Sequence, residues 1–154
     1  MKRVCAICIA AVMIIAIFTG CGASKSVDLN TLLEEINSTY GLTDLKPIED
    51  TDGLHRYYQI ETDGVKQFAA EHTTAATVYS EVILIEAVDQ DAAANIKAKL
   101  DEHLRSQLSD ARSYSAEHVG MLEACSVKES GSYVYLIIGD NHEGIENTVA
   151  QALQ

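Results

Sequence analysis

The sequence predicts an α+β fold: an antiparallel sheet of about four strands, built from two hairpins, with helices packed mainly on one face. Three observations carry this expectation. Val82-Ile-Leu-Ile85 and Tyr133-Val-Tyr-Leu-Ile-Ile138 are short, apolar, rich in β-branched and aromatic residues and bounded by turn residues, as strands are. The longer stretches between them place apolar residues at helical spacing. The order of elements is helix, short helix, hairpin, helix, short helix, hairpin, helix, and hairpins separated by long helices argue for a layered antiparallel sheet.

The first helix is expected from Asp28 to Tyr40. Leu29, Leu32, Leu33, Ile36 and Tyr40 share one face, Asp28 is placed as N-cap, Val27 as a staple onto Leu32, and Gly41 as the stop. Leu42 to Gly64 reads as irregular, with the sole proline, Pro47, two acidic turns and a short helix over Leu54 to Ile60. Val65 to Thr73 and Glu81 to Val88 form the first hairpin, and the apolar residues on both faces of the second strand suggest a central position. Asp89 and Asp91 open the longest helix, which runs to about Arg112 with Ala93, Ile96, Leu100, Leu104, Leu108 and Ala111 in one stripe. A short helical turn over Ala116 to Leu122 follows. Cys125 to Glu129 and Tyr133 to Gly139 make the second hairpin around Ser130-Gly-Ser132, and Asn141 or Asp140 caps a last helix bearing Ile145, Val149 and Leu153.

Ahead of these elements stands an address. Lys2 and Arg3 precede an unbroken apolar run of 15 residues, Val4 to Phe18, and Thr19-Gly20-Cys21 follows. A positive start, a short apolar core and a small-residue end are the parts of a secretory signal, and a membrane-spanning helix needs about 20 apolar residues. Phe18-Thr-Gly-Cys21 resembles the lipobox of bacterial lipoproteins, in which the cysteine is acylated and becomes the new N-terminus. The expected organisation is a cleaved signal at 1–20, a lipidated Cys21 and short tether at 21–26, and a single domain at 27–154. Such a Cys carries two or three acyl chains, enough for stable anchoring at the extracytoplasmic side of the cell membrane.

Residues 21–154 hold 9 basic and 23 acidic residues, a formal net charge of −14 against −12 for the whole sequence. That surface repels nucleic-acid phosphates and anionic headgroups, so nucleic acid is not an expected partner, whereas a cationic one is admissible. With Cys5 and Cys8 in the signal and Cys21 acylated, Cys125 stands alone, and the domain has to rest on its apolar core without a disulfide.

Tyr79-Ser-Glu-Val82 leading into an apolar strand, the capped helix from Asp89, Tyr114-Ser-Ala-Glu117 and Val127-Lys-Glu-Ser-Gly-Ser-Tyr-Val134 resemble the bacterial lipoproteins of the domain-of-unknown-function family numbered 4358. The resemblance extends from about Asp50 to Leu153. It implies export and a lipid anchor, and a place that is sometimes beside membrane-bound acyltransferases of surface polymers. It implies no activity, and no catalytic residue transfers.

The residues announce no catalytic or metal motif. Glu71-His72, Glu102-His103 and Glu117-His118 are sequence neighbours and so point apart, and no His-x-x-x-His or HExxH spacing occurs. Glu49-Asp-Thr-Asp-Gly53 and Glu61-Thr-Asp-Gly64 carry calcium-loop residues without the first and twelfth ligands, which leaves turns and helix caps. No cofactor is expected. Tyr133 and Tyr135 share one strand face; they are either half-buried strand residues or, where helices cover only the other face, an exposed partner-contact patch. Two function classes stand: a lipid-anchored binding or accessory module facing a membrane-surface protein, and a surface hydrolase or transferase, or an accessory to cell-surface polymer modification, with a dispersed site. A pocket joining a histidine to two carboxylates would discriminate between them.

Overall fold

The structure, a computed structural model, describes residues 26–75 and 78–154. The expected signal and Cys21 lie outside the described residues. The chain runs α1 (Leu29–Tyr40), β1 (Lys46–Pro47), α2 (Thr51–Tyr58), β2 (Val65–His72), β3 (Glu81–Ala87), α3 (Gln90–Tyr114), α4 (Val119–Ala124), β4 (Lys128–Ser130), β5 (Tyr133–Ile138) and α5 (His142–Ala152), with 3-10 turns at Thr62–Gly64 and Ala116–His118. The strands form one antiparallel sheet in the order β1-β2-β3-β5-β4. The fold is α+β, and both predicted hairpins are present.

Local chemistry sets the element boundaries. Asp28 accepts from Thr31 N at 2.9 Å and Gly41 closes α1 at φ 67°, a left-handed conformation that a glycine adopts without a side-chain clash. Asp50 caps α2 through Gly53 N at 2.8 Å, and Asp89 caps α3 through Ala92 N at 2.8 Å. The first acidic turn is therefore a helix cap, and the second is the 3-10 turn. The β4–β5 hairpin turns on two residues, the first of which, Gly131, has φ 60°.

Two expectations need correction. The sheet has a fifth strand, β1, inside the stretch read as irregular: Pro47 pairs with Glu71 on the sheet edge, where a residue without an N–H donor is tolerated, and a two-residue strand has no period to detect. Helices also cover both faces. On one face α2, α3 and α4 enclose Leu54, Ile83, Ile85, Leu100, Val134 and Leu136; on the other α1 and α5 enclose Leu32, Ile36, Val82, Leu84, Ile137 and Val149. Every residue of β3 and β5 is buried, and strands apolar on both sides need two covers. At roughly 1.5–3 kcal/mol per large side chain taken from water, neither face could be left bare.

Candidate functional site

The second cover decides the fate of the tyrosine pair. Tyr133 and Tyr135 lie beneath α1 and α5 at 8% and 7% exposure, so the exposed patch does not form and the pair belongs to the core. Tyr133 also helps to hold the entering chain. Its hydroxyl accepts from Val27 N at 3.3 Å, while Gln67 donates from Nε2 to Val27 O at 2.7 Å and accepts from Leu29 N at 3.3 Å. Gln67 is held in turn by Glu86, to which it donates at 2.6 Å, beside Lys66 at 2.6 Å. Burial pushes the Glu86 carboxyl up, but hydrogen bonds from Lys66, Gln67 and Tyr133 outweigh it and hold the group below the usual carboxylate range. The chain entering the domain is thus clamped at one end of the sheet.

At that same end, on the α3 side, a cleft of about 590 Å³ opens between the turn before β2 and the start of α3. Gly64 and Val88, which flank the first pair of the β2–β3 hairpin and are joined by a 3.1 Å Val88 N to Gly64 O bond, form its back. Ile60 and Ile96 are buried in its floor, Val88 is 52% exposed, and Glu61, Asp63 and Asp91 stand exposed around it. Gln59 ends α2 in a left-handed conformation, φ 57°, and so turns Ile60 inward. Among the described residues, Lys99 is the sole basic side chain lining the cleft, and no His, Cys, Ser, Thr or Tyr lines it. An apolar floor inside a rim of carboxylates suits a ligand that is cationic and carries apolar groups.

The opposite end of the sheet holds a buried polar cluster. Glu81 Oε2 meets His103 Nε2 at 2.9 Å and accepts from Tyr58 OH at 3.3 Å, and Glu81 Oε1 accepts from Gln107 at 3.1 Å. His103 packs edge-on against Tyr58 at 4.8 Å between ring centres. Burial and the neighbouring Glu81 push the Tyr58 phenol far above its ordinary value, so the hydroxyl stays protonated and donates. The cluster joins His103 to one carboxylate rather than two, and both oxygens of that carboxylate already have donors. A smaller cavity of about 250 Å³ lies nearby, lined by Tyr57 and His72, which stack at 4.5 Å, and by Lys46 and Arg56.

The other candidate side chains stand apart from both places. His55 and His118 lie 3.9 Å from Glu61 and Glu117 on the surface, and His142 is buried with Nδ1 2.9 Å from Gly139 O. Cys125 is buried, and burial pushes its thiol up, away from nucleophilic behaviour. Among the described residues no three His, Cys, Asp or Glu side chains converge as metal ligands, and no helix is long and apolar enough to cross a membrane. The cleft was not legible in the sequence: its two acidic segments, around Glu61 and around Asp91, signal turns and caps separately, and only the β2–β3 hairpin brings them together. Glu81 did leave a trace, as a carboxylate abutting the Val82 apolar run.

A family model described as Domain of unknown function (DUF4358) matches residues 38–139, well over half of the chain. The chain belongs to this family. The DUF4358 match takes in the whole sheet, α2, α3 and α4, and leaves out α5 and most of α1. No curated protein matches the chain, and no solved structure does.

Proposed function

We propose that this DUF4358 protein is a lipid-anchored extracytoplasmic lipoprotein whose domain is a non-enzymatic binding or accessory module, receiving a cationic, apolar-bearing segment of a membrane-surface protein in the cleft beside α3. The observation that carries the reading is the cleft itself: an apolar floor, an acidic rim and no hydroxyl, thiol or imidazole among its described lining residues. Its position supports the anchor reading as well. Val27 is clamped at the sheet end where the cleft opens. From Cys21 to Val27 the chain makes six residue steps, at most about 22 Å when extended, so a lipid on Cys21 holds this end close to the bilayer. The alternative, a surface hydrolase or transferase, draws on the His103–Glu81 contact, but there Glu81 is occupied by Tyr58, His103 and Gln107.

The test has two arms. Cells producing Cys21→Ser should show no fatty-acid incorporation into the protein, and normal incorporation would retire the lipoprotein reading. For the cleft, the probe is a synthetic lysine–leucine peptide titrated against the full chain in detergent micelles. Glu61→Lys with Asp63→Lys leaves the α3 cap at Asp89 intact and should weaken binding about tenfold, or about 1.4 kcal/mol, with added salt acting in the same direction. Unchanged affinity in the double variant overturns the cleft as the binding site.

A further inference from the structure

On the α1 side of the sheet, Glu71 is 5% exposed and touches the domain's polar groups at a single point: Asn37 Nδ2 donates to its Oε2 at 3.0 Å. Among the described residues the second oxygen, Oε1, is buried without a protein partner, and so is Asn37 Oδ1, the other half of the same amide. Two acceptors are left over on two groups already bonded to each other. Buried polar atoms are nearly always paired, and a carboxylate and an amide oxygen cannot pair because neither has a hydrogen to give. One proton on Glu71 resolves both: the amide N–H bonds one carboxyl oxygen while the acid O–H bonds the amide oxygen.

We propose that Glu71 is a neutral carboxylic acid in the folded protein and donates from Oε1 to Asn37 Oδ1, forming a two-bond acid–amide latch that ties α1 to β2 and weakens as the pH rises. Among the described residues no Lys, Arg or His side chain forms an ion pair with Glu71, and burial and the Asn37 bond are what act on its carboxyl. Glu71 faces Val82 of β3 and Pro47 of β1 across the sheet. Lys46 of β1 and His72 of β2 line the cavity on the opposite face, Glu81 of β3 faces α3, Glu34 and Glu35 of α1 and Asp44 of the α1–β1 loop are exposed, and Glu146 of α5 is turned to Lys128. Burial accordingly pushes the Glu71 carboxyl up, against a smaller downward pull from the Asn37 bond. A carboxyl raised in the folded state contributes its stabilisation in full below the unfolded glutamate value of about 4.3 and loses it as pH rises through the folded value.

The measurement is a carbon-detected NMR titration of the glutamate carboxyls in the full chain in micelles. Glu71 should keep its protonated shift as the pH rises above the ordinary glutamate value of about 4.3; a Glu71 carboxyl that titrates at or below that value overturns the latch. Glu71→Gln supplies the second readout, because an amide at this position keeps a donor and an acceptor at every pH. The wild-type unfolding midpoint should decline as pH rises through the Glu71 transition, whereas that of Glu71→Gln should not; the same decline in both overturns the proposal. Should the variant fail to fold, the wild-type titration decides alone.

Discussion

The two faces of the sheet bury similar strands in different ways. On the α3 side the buried carboxylate, Glu81, has donors for both oxygens, and the buried hydrophobic residues of the layer are aliphatic apart from Tyr58. The α1–α5 side is closed by two shorter helices and carries Glu71, Glu86, Tyr133 and Tyr135; Asn37, Glu71 and Glu146, which hold the buried unpartnered atoms among the described residues, belong to this side as well. One layer has settled its polar groups within itself, while the other holds them in reserve for a proton, for the entering chain or for Lys128. Burial of polar groups costs little only where partners are present, so the two faces should respond differently to the same kind of change.

The largest effect is expected from the tyrosine pair. Tyr133→Ser with Tyr135→Ser removes two core side chains, and at about 3 kcal/mol or more for each large aromatic truncation the domain should unfold or melt far earlier in a thermal scan. A double variant that melts within the range of surface substitutions, about 0.5 kcal/mol, would return the pair to the surface and erase the contrast. Next comes Glu81→Leu, which leaves Tyr58 OH and the amide of Gln107 without their acceptor and should cost about 1–3 kcal/mol by chemical denaturation; a neutral result would mean that the α3 side tolerates unmet donors as well. The smallest is Gly53→Ala. In an open helix this change is worth up to about 1 kcal/mol in favour of alanine, but here the added Cβ would sit 2.5 Å from Ile48 Cγ2, so the sign should reverse and the midpoint should fall. A gain in stability would show that the α2 packing is looser than the contact implies.

Much of the fold was legible because its signals are local. Asp28, Asp89 and Gly41 mark helix ends through bonds to residues three or four positions away, and the β3 and β5 runs announce themselves by composition. The double cover was also written there, in Val82-Ile-Leu-Ile85 with apolar side chains on both faces, although the element order alone suggested one covered side. Strand β1 was hidden because two residues have no period. The polar clusters and the cleft were hidden for a different reason: Tyr58, Glu81 and His103 come from three elements, Asn37 and Glu71 from two, and Glu61 and Asp91 from turns that only strand pairing makes neighbours. No local pattern reports the register that sets such meetings.

The clamp on Val27 has a mechanical consequence. Any pull along the chain ahead of Val27 arrives first at two side-chain bonds, to Gln67 on β2 and Tyr133 on β5, and not at a strand of the sheet itself. Those bonds share the load between two strands, both interior in the strand order, and once they part the next segment in line is α1, which would peel away one turn at a time and uncover Tyr133, Tyr135 and Glu71 while the β3–β5 ladder still holds. The domain is built with a fuse at its entry point: tension is absorbed by a helix that can wind back before it reaches the strands that cannot easily re-register.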